Sequence, residues 1–212
     1  MGAFRLILSL CVLQSHVFGT IGGWNIGVVA VISFFIMSGY VMAILTSKYY
    51  PNLSDALSFY KDRAARLFPQ YLLYLAATLI CADVLGRSDN FLENRDFIHI
   101  LINASILPLG FYMFGLENSM YVQAAWSLGL ELSFYLLFPF FWAFVRPAKY
   151  LVVGLSMLIF ICALGGLINS DWFGYRLLPG TLFIFVSGSA LAKPEKLGFL
   201  VPITAFCIAA VA

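Results

Sequence analysis

From Ile26 to Leu45 the chain runs without a single charged side chain. That is long enough for one α-helix to cross the roughly 30 Å hydrocarbon core of a bilayer. No water inside that core can satisfy a peptide group, so such a run has to close its hydrogen bonds internally, as a helix does. Residues 67–85, 124–145, 151–168 and 177–192 repeat the pattern with only isolated polar interruptions, and residues 4–18 form a shorter version of it. Composition agrees with a membrane solvent: 62% of the residues are hydrophobic and 10% charged, with a mean hydropathy of +0.95. A water-soluble domain could not cover that much apolar surface. The net charge of +2 is too small to argue for nucleic acid, and the basic residues fall in short clusters between apolar runs. The four cysteines form no CxxC pair, so neither a metal site nor a disulfide framework is expected.

These runs predict an all-α fold: one polytopic transmembrane bundle over residues 1–212, with six to seven membrane helices. Residues 1–19, with Arg5 ahead of an apolar stretch, also resemble a secretory signal. They lack a small-x-small cleavage site, and a retained first helix is the preferred reading. A polar connection is expected over 46–66, with a turn at Pro51 and Asn52 and a possible helix cap at Ser54. Lys48, Lys61, Arg63 and Arg66 make it the most basic stretch, so it should face the cytoplasm and place Met1 there too. Asp89, Glu93 and Asp96 outnumber Arg87 and Arg95 in the next connection, as befits an outer loop. Arg146 with Lys149, and Lys193 with Lys196, also favour the cytoplasmic side. Residues 97–114 must then leave and return on one side. His99, Asn103, Pro108 and Gly110 interrupt that run, which reads as a re-entrant or interfacial segment beside a wet cavity. An ordinary crossing with inverted downstream topology is the alternative. Residues 197–212 begin a seventh segment without completing it, and the sequence is expected to be incomplete at its C-terminus.

A few polar residues stand inside this apolar background. His16 lies in the first helix and carries the side chain best suited to exchange a proton near neutral pH. An ionisable group at such depth is a functional candidate, although a core histidine bonded to a carbonyl is the simpler alternative. Arg5, eleven positions earlier, returns to nearly the same helix face about 16 Å away. Arg63 and Arg66, three apart, would point to one side of a helix and suit an anion, or equally a lipid head group. Glu131 follows Trp126, Ser127 and Leu128 in an apolar helix. An unpaired carboxylate there costs about 3 kcal/mol, so it should face a cavity or an arginine partner.

Together these pieces resemble the acyltransferase-3 family of integral membrane enzymes. Arg5 and His16 are similar to its arginine, ten residues, histidine pattern. Ser33-Phe34-Phe35-Ile36-Met37-Ser38-Gly39-Tyr40 resembles its second-helix signature, and Arg63-Ala64-Ala65-Arg66 before Leu67-Phe68-Pro69 its R-x-x-R element. Trp126-Ser127-Leu128-Gly129-Leu130-Glu131 with Phe134-Tyr135 and Pro139 resembles its W-S-L-x-x-E-x-x-F-Y-x-x-x-P stretch, and Tyr175-Arg176 with Leu178-Pro179 and Gly188 is a weaker echo. The resemblance implies transfer of an acyl group, commonly acetyl, from acyl-CoA to a hydroxyl of a surface polysaccharide or lipid-linked sugar, in the cytoplasmic (inner) membrane and without a metal. It implies His16 as general base or transient acyl carrier, Glu131 as an orienting group, and Arg63, Arg66 and Arg5 as CoA-phosphate ligands. Such enzymes carry more membrane helices than this chain supplies, which again implies truncation. A proton-coupled transporter would use a similar stripe of arginine, histidine and glutamate, and an inactive membrane scaffold is the third reading.

Overall fold

The structure, a computed structural model, describes residues 2–86, 94–143 and 146–192. Arg87, Asp89 and Glu93, the pair Lys193 and Lys196, and residues 197–212 lie outside the described residues. The described residues form seven α-helices and shorter helical turns, with no strand among them. The helices are α1 (Gly2–Phe18), α2 (Ile26–Tyr49), α3 (Ala56–Leu85), α4 (Phe97–Ser105), α5 (Ala125–Ala143), α6 (Arg146–Leu164) and α7 (Leu178–Leu191). The chain divides into two compact units: Met1–Pro51 with Phe144–Ala212, and Asn52–Ala143.

The all-helical expectation holds, and the expected six to seven membrane helices are met in part. Among the described residues three helices are long and apolar enough to cross a membrane, Ile26–Tyr49, Leu53–Leu85 and Pro147–Leu164, and four if a bent pair at 97–114 counts as one span. The reason is length. At 1.5 Å per residue, the 17 residues of α1 and the 14 of α7 fall short of the hydrocarbon thickness. The apolar stretch of α5 ends at Phe141 and is also too short.

In the first unit, α2 starts where Asn25 caps it, its side chain accepting from the Val28 N–H at 3.3 Å. Leu8 of α1 packs with Ala30 and Met37 of α2. The approach of α2 to α7 is closer still. A Cβ at Gly39 would strike the Phe185 carbonyl, and one at Gly188 would strike the Ile36 carbonyl, so each helix offers a glycine to the other's backbone. Ser189 Oγ donates to the Gly39 carbonyl at 3.0 Å, and the rings of Phe35 and Phe185 stack at 4.7 Å. Small residues serve this purpose in membranes, where lipid removes the hydrophobic drive between helices and packing has to supply the attraction. The α6 and α7 helices meet through Phe160 and Phe183, centroids 5.1 Å apart.

In the second unit, α3 begins eleven residues earlier than the expected span, with only the turn at Pro51 and Asn52 ahead of it. The capping group is Asn52 rather than Ser54: Asn52 and Asp55 exchange side-chain and backbone bonds across the turn Leu53–Asp55. Lys61, Arg63 and Arg66 are therefore helical, not loop, residues. Gly86, in the left-handed region at φ 60°, ends α3. Asp96 caps α4, accepting from the His99 N–H at 2.8 Å, and this bond together with the His99 side chain holds its carboxyl below the usual range.

Residues 97–114 do not make a straight crossing. Helix α4 and the following 3-10 helix Leu107–Phe114 bend by 118° across Ile106. Ile106 sits at φ 64° although β-branched and fully buried. Two anchors hold the bend. Asn103, also fully buried, donates to the carbonyls of His99 (2.9 Å) and Ser119 (2.7 Å) and accepts from the Tyr121 N–H (3.1 Å). On the far side Gly110 lies against the backbone of Gly129 in α5, where a Cβ on either would collide.

Candidate functional site

Helix α3 turns a stripe made of Tyr60, Arg63, Ala64 and Phe68 toward a cavity of about 410 Å³. Pro108, just past the bend, closes one side, and Leu132, Tyr135 and Leu136 of α5 close another. Most of this lining is carbon. Its polar groups are nearly all committed: Tyr60 donates its hydroxyl to the Leu136 carbonyl at 2.9 Å, and Tyr135 donates to the carboxylate of Glu131. Arg63 is 5% exposed. One Nη of its guanidinium pairs with the adjacent Asp62, while its Nε is buried with no hydrogen-bond partner. A buried guanidinium is costly unless its charge and its N–H groups are matched, and here the buried Nε–H is left unmatched.

Arg66 is exposed and does not line this cavity. The arginine pair, expected to point to one side, is thus split between a buried, cavity-lining member and an open one. The carboxylate of Glu131 is half-buried and reaches the cavity wall through Tyr135.

The other candidates lie in the first unit. Arg5 is half-buried and its Nε–H donates to the Met37 sulfur at 3.1 Å. His16 is exposed near the C-terminal end of α1, about 16 Å along the axis from Arg5. Arg5 and His16 therefore share one unit, and Arg63, Arg66 and Glu131 the other.

A second polar cluster sits on the π-helical turn Trp172–Arg176 ahead of α7. The Tyr175 hydroxyl donates to Asp171 at 2.6 Å and accepts from Arg176 at 2.8 Å, and Arg176 also pairs with Asp171 at 3.1 Å. Burial first, and then the Asp171 carboxylate, push the Tyr175 phenol up to about 12. Its folded value lies above the ordinary 10, so the protonated form is the one folding favours. That contribution is complete below pH 10 and is lost as pH rises through about 12. The phenolate absorbance of wild type minus Tyr175→Phe should therefore be absent at pH 10.5 and emerge only near pH 12. A difference already half developed at pH 10 would show that the cluster does not hold the phenol.

Sequence reasoning missed Tyr60, Asp62 and Asp171. Residues 60, 63, 64 and 68 have the spacing of one helix face, a signal hidden only because 46–66 read as a loop.

A helical membrane protein with a buried arginine, a tyrosine-bound carboxylate and a carbon-lined cavity is the class this arrangement defines. Residues 1–212 match the family model described as an acyltransferase domain. The chain belongs to the acyltransferase-3 family. An uncharacterized protein of Aquifex aeolicus is 40% identical over 72 residues, 34% of this chain and 32% of the relative. The O-acetyltransferase OatA of Staphylococcus aureus (strain NCTC 8325 / PS 47) is 31% identical over 124 residues, 53% of this chain and 20% of OatA. The matches thus span between a fifth and a third of these relatives' own lengths. No solved structure matches the chain.

Proposed function

We propose that this chain is a membrane-embedded O-acyltransferase that moves an acyl group, acetyl in the first instance, from acyl-CoA to a hydroxyl of a surface polysaccharide or lipid-linked sugar. The observation that carries this reading is the family membership, joined to a buried arginine at a carbon-lined cavity. The name of the Staphylococcus aureus relative supports acetyl and an oxygen acceptor. The cytoplasmic (inner) membrane and a cytoplasmic N-terminus go with this proposal, because the basic connections then share the side on which acyl-CoA is made available.

In this reading His16 takes the proton of the acceptor hydroxyl as its oxygen attacks the thioester carbonyl. The new ester C–O bond forms, the C–S bond breaks, and the proton ends on the departing CoA thiolate. Glu131 orients the acceptor. Arg66, the exposed member of its pair, takes a CoA phosphate, with Arg5 assisting.

The test is CoA release from acetyl-CoA in membranes carrying the chain, with and without a glycan fraction prepared from the same cell envelope. Release should require the glycan, and Arg66→Ala should raise KM for acetyl-CoA about tenfold, as loss of one exposed charge-assisted bond would. No CoA release from wild type with any acceptor fraction would overturn the proposal.

A further inference from the structure

One end of the first unit gathers, around His16, exposed groups that the transfer step leaves unused. Gly22 and Gly23, at φ 59° and 86°, are the two central residues of a tight turn, and Ile21 and Trp24 exchange both backbone hydrogen bonds across it at 3.0 Å. This hairpin holds Trp24, 53% exposed, just ahead of α2. Helix α1 runs antiparallel to α2, since Arg5 meets Met37 while Ser15 fills the space beside Gly27. It therefore brings His16 to the hairpin's end of the unit. Helix α7 runs parallel to α2: Phe35 stacks on Phe185 and Ser189 bonds to Gly39, both pairs 150 positions apart. Carried back along both helices, that register sets the turn Trp172–Arg176 at the same end.

The chemistry gathered there suits a neutral polyol. Asp171 and Arg176 cancel each other's charge, so neither an anion nor a cation is drawn in. Both contacts to Asp171 fall on Oδ1, and the side chain is 47% exposed, which leaves Oδ2 to accept from a hydroxyl. The C–H side of a sugar ring is the apolar surface that an indole face covers. Anchoring at a membrane surface needs no fixed orientation, whereas two backbone bonds fix the chain that carries Trp24. Helix α1 packs on Ala30 and Met37 of α2, and α7 on Phe35 and Gly39, so His16 and Asp171 flank α2 on different faces. A helix is about 10 Å across, more than a single sugar bridges.

We propose that this end of the first unit is the acceptor site and takes a neutral glycan of two or more sugar units. One ring stacks on the Trp24 indole and presents its hydroxyl toward His16, and a hydroxyl of a neighbouring sugar donates to Asp171 Oδ2. The proposal rests on the acyltransferase reading, which turns this end outward to the surface polysaccharide, and adds the charge class and the length of the acceptor.

The experiment measures glycan binding and acetyl transfer separately, on membranes carrying the full chain. The probes are neutral oligosaccharides cut from the envelope polysaccharide and, as a second arm, the lipid-linked sugar fraction of the same cells; the arm with the lower KM identifies the source. Trp24→Ala should raise the glycan KM about tenfold and leave the KM for acetyl-CoA unchanged. Trp24→Phe, which keeps a ring, should stay within threefold of wild type. Asp171→Ala should also raise the glycan KM about tenfold, but should not alter the weaker binding of a monosaccharide, which cannot reach it from Trp24.

If Trp24→Ala and Asp171→Ala both keep the wild-type glycan KM while wild type transfers acetyl, Trp24 is a membrane anchor. The inference is then overturned and the acyltransferase reading stands. If both variants lose glycan binding while wild type consumes no thioester, the site stands and the transfer reading falls. If wild type binds a monosaccharide as tightly as the oligosaccharides, the inference is overturned. Should Trp24→Ala fail to reach the membrane, Asp171→Ala decides alone.

Discussion

His16→Ala should remove acyl transfer almost completely, by about 10²- to 10⁴-fold in kcat, while the protein remains in the membrane at wild-type level. That is the range a positioned proton-transfer group contributes. The placement of His16 makes the test clean. It is exposed near the end of α1, and among the described residues no hydrogen bond or ion pair engages its ring. The contacts that dock α1 come from Arg5, Leu8, Cys11, Val12 and Ser15, so losing the imidazole leaves each of them in place. Acetyl-CoA binding should be unchanged in the variant, since the donor contacts proposed above are made by other residues. A His16→Ala protein that turns over acetyl-CoA within threefold of wild type would remove His16 from the mechanism. A variant that is missing from the membrane would assign it a folding role instead.

Gly39→Leu should destabilise the protein by about 3 kcal/mol or more, the upper end of what overpacking costs. For a chain of this size that is a fall of roughly 10 °C in Tm. The collision is with the Phe185 carbonyl, which is backbone and cannot rotate aside as a side chain would. The same insertion would disrupt the Ser189 bond to the Gly39 carbonyl and the Phe35–Phe185 stack. Gly154→Leu in α6 is the control, because a Cβ there meets nothing within 4 Å. Thermal unfolding in detergent, followed by loss of soluble protein, reads the difference. If Gly39→Leu melts with Gly154→Leu and wild type, α2 and α7 do not approach as described.

Much of this fold was legible in the sequence because lipid imposes one rule on every residue of a span. Helix α2 begins at Ile26, where the apolar run after Asn25 begins, and the break expected within 97–114 is the bend at Ile106. What failed was hydropathy at places where a helix is not apolar all round. The first turns of α3 carry Lys61, Asp62, Arg63 and Arg66, which lower the local hydropathy to that of a loop although the residues remain helical. Asn103 read as an interruption, yet it is the most fully bonded side chain at the bend, because one amide can serve two carbonyls and an N–H at once. Helix count was legible only in part for a different reason: an apolar run shows that a segment avoids water, while its length in the helix depends on where caps and turns cut it. The candidate residues were recognisable as types and spacings. Which of Arg63 and Arg66 is buried depends on what α5 brings to α3, and that is not written in the spacing.

Ile106 has a mechanical meaning. A β-branched residue in the left-handed region stores about 1–3 kcal/mol, and the flanking segments must hold it there. On one side Asn103 is pinned by its three bonds, and on the other Gly110 is wedged against Gly129. The bend is a spring compressed between two clamps, and Pro108 rides on it two residues beyond. Loosening either clamp would let the spring extend and swing one wall of the cavity outward. The pocket's dimensions are therefore governed by residues that never touch what it holds.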